Sequence, residues 1–154
     1  MSRLPPVLIL LLAAVFWAFP KVTVAQKAEP KGATIEVVVS GFRNQKGQIG
    51  ASLFAAQEGF PDKTEKALRT FKSAIDGDTV TFRFENVPAG TYAIAVLHDE
   101  DMNGKMDTTF FGFPKEGGGA SNNPKPRRGS PRFDDAKFVL KEESLKLQIK
   151  LQYP

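Results

Sequence analysis

The feature that most constrains this chain is the alternation of apolar and polar side chains in three separate segments. In "SLKLQIKLQY" (144–153), apolar residues alternate with lysines and glutamines without a break. "TVTFRFE" (79–85) follows the same rule, and in "TIEVVVSGF" (34–42) Ile35, Val37 and Val39 point one way while Thr34, Glu36 and Ser40 point the other. Because successive side chains of a strand point to opposite faces, this period predicts half-buried antiparallel strands and disfavours helices.

Three other segments predict further strands. "IGASLFA" (49–55) is a plausible return strand after the turn candidate "NQKGQ" (44–48), and "DAKFVL" (135–140) is a weaker strand. "TYAIAVLH" (91–98) is apolar on both faces, which is typical of a central strand.

The stretch "PDKTEKALRTFKSAI" (61–75) is ambiguous. Asp62 and Glu65 resemble a capping pair, which predicts a short helix near 62–68, followed by a strand near 69–75. Six or seven short strands with turns between them predict an all-β fold, an antiparallel β-sandwich, with a barrel as the alternative.

The N-terminus predicts export. Arg3 precedes an apolar run of 13 residues (7–19), and small residues end at Ala25, so residues 1–25 have the pattern of a cleaved signal peptide. Residues 26–32 form a polar spacer, and 33–154 a single domain. Removing residues 1–25 removes two cations and no acid, which lowers the formal net charge from +4 to +2. This balance disfavours a nucleic-acid partner, and we expect no membrane span in the mature chain.

The chain contains no cysteine, so we expect neither a disulfide nor a lipid-modified N-terminal cysteine.

The segment 99–132 is a long loop that opens with a calcium-like motif. In "DEDMNGKMD" (99–107), oxygen-bearing groups alternate as in the first nine positions of an EF-hand loop, with Gly104 at the tight turn. Position 12 is Phe110, which supplies no carboxylate, so a downstream glutamate would have to fold back. The expected calcium ligands are Asp99, Asp101, Asn103, the carbonyl of Lys105, Asp107 and Glu116. The alternative is an Asx-rich turn without an ion.

Several other residues have a functional and a structural interpretation. His98, the only histidine, is either a base or zinc ligand beside the carboxylates or a hydrogen-bonding residue at a strand end. The basic residues of the second half of the loop form either an anion or polysaccharide site or a solvated loop. These residues are Lys125, Arg127, Arg128 and Arg132.

Side chains elsewhere in this loop raise two more questions. Ser121 and Ser130 could be nucleophiles, but no Gly-x-Ser-x-Gly turn surrounds them. We expect Phe110, Phe111 and Phe113 to pin the loop to the sandwich, with an aromatic binding platform as the alternative.

The runs "PAGTYAIAVLHDEDMNGKMD", "GFPKEG" and "SNN" resemble the exported bacterial proteins grouped as domain of unknown function 2141, over residues 33–153. The resemblance implies one extracytoplasmic domain in which Asp99 to Asp107, Glu116 and Asn122 form one constellation. It implies no activity. "VPAGTYAIAV" is also similar to a strand-turn-strand signature in which Pro88, Gly90 and Tyr92 set the turn. The expected sandwich is therefore immunoglobulin-like or prealbumin-like.

Three functions follow as hypotheses. The first is an exported, non-enzymatic binding module with a calcium-organised loop, whose ligand would contact His98, Asn122, Arg127 or Arg128. The second is an envelope-acting hydrolase or lyase that uses His98 and the loop carboxylates. The third is a purely structural surface protein.

Overall fold

The computed structural model describes residues 32–125 and 129–154 and contains eight strands with two helical turns. The predicted signal peptide, nearly all of the spacer, Arg127 and Arg128 lie outside the described residues. The strands are β1 (Ala33–Ser40), β2 (Gln48–Phe54), β3 (Arg69–Ala74), β4 (Thr79–Val87), β5 (Gly90–Asp99), β6 (Gly117–Ala120), β7 (Phe138–Leu140) and β8 (Leu145–Lys150). The helical turns are a 3₁₀ turn at Thr64–Lys66 and α1 (Phe133–Ala136).

The first sheet has three strands in the order β4-β1-β8. β1 pairs with β4 antiparallel and with β8 parallel. The parallel pair departs from the expected antiparallel arrangement. A parallel pair needs a long connection, and here the six strands β2 to β7 lie between β1 and β8 in the chain.

The second sheet has the order β3-β2-β5-β6. Strand β7 pairs with the first residues of β5, whereas β6 pairs with its last residues. As predicted, β5 is a central strand that is apolar on both faces. Tyr92, Ile94 and Val96 belong to the main core between the sheets. Ala93 and Ala95 belong to a smaller core on the outer face, completed by Phe54, Ala120, Phe133 and Ala136. The two-sided apolar pattern of β5 therefore follows from its two cores.

The two sheets and the almost complete absence of helix confirm the predicted nearly all-β, sandwich-like architecture. An isolated bridge between Gly118 and Gln152 joins the sheets at one edge. The predicted turn before β5 is also confirmed, because the hydroxyl of Tyr92 donates to the carbonyl of Pro88 at 2.9 Å.

The structure departs from the local predictions in two segments. The predicted helix near 62–68 shortens to the 3₁₀ turn, whose N-cap position is Lys63 and has no side-chain cap bond. Asp62 accepts a bond from Ser130 instead. Within the predicted loop 99–132 the chain forms β6, which the glycine-rich sequence did not indicate.

Across residues 32–125 and 129–154, no helix is long and apolar enough to span a membrane.

Candidate metal centre

Asp99 lies at the end of β5, where strand pairing places it opposite Gln48 of β2. Its side chain is buried, with 2% exposure. One carboxylate oxygen accepts bonds from the Gln48 amide at 2.7 Å and the backbone N–H of Gly104 at 2.9 Å. The other accepts the N–H of Asn103 at 3.0 Å. Burial alone would raise the pKa of Asp99, but these hydrogen bonds lower it below its ordinary value.

Glu116 lies directly before β6 and ties the two ends of the acidic segment together. It is buried, with 4% exposure. Its Oε1 accepts the backbone N–H of Glu100 at 2.8 Å, and its Oε2 accepts that of Asp107 at 2.9 Å. The predicted folding back of this glutamate onto the acidic motif is therefore present in the structure.

Three carboxylates converge in this loop. One oxygen from each of Asp99, Asp101 and Glu116 lies within 4.8 Å of the others. Calcium binds oxygen ligands at roughly 2.3–2.6 Å, so two of its ligands are at most about 5 Å apart. The corresponding limit for magnesium, with ligands at about 2.0–2.1 Å, is about 4.2 Å. The separation is compatible with a single calcium ion.

These three carboxylates form no ion pair with any residue in the described parts of the chain. Two of them are buried. A buried charge without a counter-charge is costly and like charges repel, so a cation at this point would stabilise the cluster.

Asn103, Lys105 and Asp107 adjoin the three carboxylates. The side-chain amide of Asn103 donates to Asp101 at 2.9 Å and to Asp107 at 3.0 Å, so its N–H groups lie between two negative charges. Its oxygen accepts the backbone N–H of Lys105 at 2.8 Å. For Asn103 to serve as an oxygen ligand, its amide group would have to rotate. Asp107 extends the negative charge of the cluster.

Glu100, although inside the motif, is held by another partner. It is bonded to the guanidinium of Arg43, including one contact at 2.9 Å, and to the amide of Asn44 at 2.6 Å. The Arg43 hydrogen bonds are the main reason that the pKa of Glu100 is lowered to about 2. Because its carboxylate is already bonded to Arg43 and Asn44, Glu100 is not a candidate ligand for an ion.

The segment 43–48 contacts the acidic loop, and the sequence pattern did not predict this contact. It supplies partners for Glu100, Asp99 and, through the carbonyl of Lys46, His98. Gly47 has φ of 70°, and a Cβ there would lie 2.1 Å from the carbonyl oxygen of Asp99. The acidic loop therefore packs directly on this turn. The only sequence signal is its position before the return strand β2.

His98 faces the main core and not the carboxylates. It is fully buried, and its Nδ1 lies 2.7 Å from the hydroxyl of Tyr153. Its Nε2 lies 2.8 Å from the carbonyl oxygen of Lys46, which can only accept a hydrogen bond. Both ring nitrogens therefore have protein partners, and this geometry matches the structural interpretation of His98.

Asn122 does not join the acidic cluster, although the family resemblance grouped it there. It lies after the other end of β6, where its amide donates to the carbonyl of Lys137 at 2.8 Å. Asn123 bonds Gln148 and Lys150 of β8, and Ser121 is fully buried. The "SNN" motif therefore connects β6 to its neighbours. Since β6 separates it from Glu116, the structure does not bring the two motifs together.

The three phenylalanines of the loop are exposed, so the prediction that they pin the loop to the sandwich is wrong. Phe110 is 98% exposed, Phe111 81% and Phe113 64%. The chain turns back at this point, and a backbone bond from the N–H of Thr109 to the carbonyl of Phe113 closes the turn.

The basic residues of the loop are not gathered into a site by the described residues. Arg132 pairs with Asp135 in α1, and Lys125 is exposed. A depression of about 290 Å³ lies on the first sheet, and its carboxylate, Glu36, is paired with Arg83 and Lys146. The negative charge of Glu36 is therefore already neutralised within the protein.

The model of one protein family matches residues 37–148, which is more than half of the chain and includes the whole acidic loop. Its description is "Uncharacterized protein conserved in bacteria (DUF2141)", and the match confirms the resemblance expected from the motifs. No curated protein and no solved structure matches the chain.

Proposed function

The chain belongs to this family of uncharacterised bacterial proteins, DUF2141, and on that premise we propose that it is an exported cell-envelope or secreted binding module whose acidic loop is organised by calcium. The observation that carries the proposal is the convergence of Asp99, Asp101 and Glu116 within 4.8 Å. Two of these carboxylates are buried without a cationic partner in the described chain.

An ion at this point would join parts of the loop that are distant in sequence. Asp99 ends β5, Asp101 lies in the exposed turn, and Glu116 precedes β6. Coordination by all three would fix the start and the end of the segment to one centre. It would also neutralise charge that hydrogen bonds from neutral amides satisfy only in part.

The export part of the proposal rests on the signal-peptide pattern of residues 1–25. Oxygen-rich loops of extracellular modules are an established class of calcium site. The loop that calcium orders is then the place where an envelope ligand would bind.

A structural surface protein is the second candidate, and one observation favours it. The carboxylates of Asp99, Asp101 and Glu116 all accept backbone N–H bonds, as in an amide-capped turn that needs no ion. The hydrolase or lyase hypothesis has less geometric support. Both nitrogens of His98 are bonded, and the carboxylates converge on one point instead of facing each other across a cleft.

Thermal unfolding of the full chain in calcium and in a chelator tests the proposal. A site with a dissociation constant of about 10 μM gains about 2.7 kcal/mol at roughly 1 mM calcium. We therefore expect calcium to raise the melting temperature by about 5–10 °C. Asp101→Asn should abolish most of this rise, because it removes a charge from an exposed position while keeping the shape of the side chain.

Glu142→Gln is the matched control, since Glu142 is an exposed carboxylate in the turn between β7 and β8. It should retain the full calcium effect. An unchanged melting temperature in the unsubstituted chain would reject the calcium site and leave the amide-capped structural turn as the better explanation.

A further inference from the structure

The segment from Asp107 to Glu116, called here the phenylalanine hairpin, projects from the acidic loop. Thr108 and Pro114 form a bridge, and the backbone N–H of Lys115 donates to the carbonyl of Asp107 at 2.7 Å. Glu116 bonds the backbone N–H of Asp107, so the same carboxylate belongs to the hairpin base and to the candidate metal centre. The orientation of the hairpin is therefore tied to the acidic cluster.

The tip of this hairpin is apolar and unpacked. Phe110 and Phe111 contact each other with ring centroids 5.5 Å apart, and both are more than four-fifths exposed. Phe113 of the same hairpin is 64% exposed, and Met102 of the acidic loop is 66% exposed. A concentration of exposed aromatic side chains on one short turn marks an interaction site more often than chance surface composition.

We propose that the phenylalanine hairpin docks on the surface of an anionic phospholipid bilayer, inserting its aromatic rings when calcium occupies the acidic loop. The calcium dependence rests on the proposed function. The choice of a bilayer as partner rests on the shape and the backbone bonding of the hairpin, and on its charge once calcium is bound.

The shape of the hairpin fits a deformable partner. Phe110 stands clear of the described chain at 98% exposure, so the apolar surface is a projecting tip and not a groove. Three phenylalanines offer roughly 450–750 Å² for burial. A stable protein interface needs about 800 Å² from each partner together with matched shape. A bilayer imposes no such shape requirement on the inserted rings.

The backbone N–H groups of Thr109, Gly112 and Phe113 are hydrogen-bonded within the hairpin. The N–H of Thr109 donates to the carbonyl of Phe113 at 2.7 Å, and the N–H of Gly112 donates to the carbonyl of Thr109 at 2.9 Å. The N–H of Phe113 donates to the hydroxyl of Thr109 at 3.1 Å. Because unpaired amides are costly in lipid, these internal bonds reduce the penalty for insertion.

The charges around the hairpin fit an anionic surface once the acidic loop is neutralised. Lys105 precedes the hairpin, Lys115 lies within its base, and both are exposed; the ammonium group of Lys72 from β3 lies beside Gly104. Without an ion, Asp101, Asp107 and Glu116 place negative charge at the hairpin base, which repels anionic lipid. A bound calcium ion would cancel much of that charge and leave the lysines dominant.

A site-specific fluorophore tests this inference in the full chain. The chain has no cysteine, so Phe111→Cys creates a single attachment site for an environment-sensitive dye. We expect a fluorescence rise and blue shift with vesicles of phosphatidylglycerol and phosphatidylcholine in calcium, and neither change in chelator or with phosphatidylcholine alone. Phe110→Ser in the labelled chain should lower the partition coefficient about tenfold.

The matched control is the same dye at Glu142→Cys, an exposed position in the turn between β7 and β8. Its fluorescence should stay constant, because this position is outside the docking surface. A local readout is needed because the apolar residues 7–19 could bind vesicles by themselves.

The melting temperature of the same sample separates the two proposals. A calcium-induced rise in melting temperature without a fluorescence change at position 111 overturns the docking inference and leaves the calcium site standing. Equal fluorescence changes in calcium and in chelator overturn the calcium-dependent docking. A calcium-dependent dimer seen by light scattering without vesicles, and lost in Phe110→Ser, overturns the bilayer in favour of a second copy of the chain.

Discussion

Ser121 and Ser130 belong to the same stretch of chain and have opposite surroundings. The hydroxyl of Ser121 is fully buried, accepts the backbone N–H of Ile94 at 2.9 Å and donates to the carbonyl of Ala136 at 2.6 Å. Ser130 is exposed and has a long contact of 3.4 Å to Asp62. Burial and complete hydrogen bonding make Ser121 a structural link between β5 and α1.

We predict that Ser121→Ala lowers the free energy of unfolding by about 2–3 kcal/mol, because it leaves a buried N–H and a buried carbonyl without this partner. Urea denaturation measures the change. Ser130→Ala, the matched control, should stay within about 0.5 kcal/mol of the unsubstituted chain. An equal, small effect of both substitutions would contradict the structural role assigned to Ser121.

The glycines of β6 explain how a strand forms in a sequence without strand-forming side chains. A Cβ on Gly117 would lie 2.4 Å from the ring of Tyr153, and one on Gly119 would lie 3.0 Å from Ile149 and Val96. A larger residue would clash with Tyr153 at position 117 and would force Ile149 and Val96 to shift at position 119, so the glycines permit close packing of β6. The backbone pairing with β5 then supplies the strand geometry.

We predict that Gly117→Ala destabilises the chain by about 1–3 kcal/mol, since the methyl group must displace the tyrosine ring. Gly118→Ala is a suitable comparison, because its Cβ would meet only the flexible end of Met106 at 3.1 Å. It should change the unfolding free energy by no more than about 0.5 kcal/mol. Chemical denaturation of both variants measures the difference, and a neutral Gly117→Ala would contradict the packing described.

The turn 43–48 and the acidic loop couple two distant parts of the molecule, and this coupling affects stability against acid. Arg43 holds the pKa of Glu100 at about 2 in the folded chain, against an ordinary value of 4.5. Because the folded pKa is the lower one, the pair contributes stability above about pH 4.5. That contribution is lost as the pH falls through this window towards about 2.

We predict that Arg43→Gln costs about 1 kcal/mol at neutral pH and flattens the fall in stability between pH 4.5 and 2. Urea denaturation across that range, in chelator, measures the profile. Lys66→Gln breaks a more exposed pair with Glu58 and should leave the profile unchanged. A pH profile as steep as that of the unsubstituted chain would show that the low pKa of Glu100 does not depend on Arg43.

For the fold, local pattern predicted most strands because it depends on one physical rule. The alternating side chains in 34–42, 79–85 and 144–153 need a strand with one face towards solvent and one towards the core. Strands β1, β4 and β8 have these two faces. The two apolar faces of β5 likewise required a core on each side. The strand β6 was not predicted, because the glycines of "GGGA" carry no side chain that could alternate.

For the candidate site, sequence spacing by itself identified the acidic motif, the tight turn at Gly104 and the need for a distant carboxylate. Only the tertiary structure decided which groups meet. The pairing of β2 with β5 brings Gln48 to Asp99, and the pairing of β6 brings Glu116 back to the motif. The tertiary structure also places His98 in the core, separates Asn122 from the acidic cluster and leaves Phe110 exposed to solvent. Spacing along a chain specifies local geometry, whereas contacts between distant residues depend on strand order and register, which no single segment encodes.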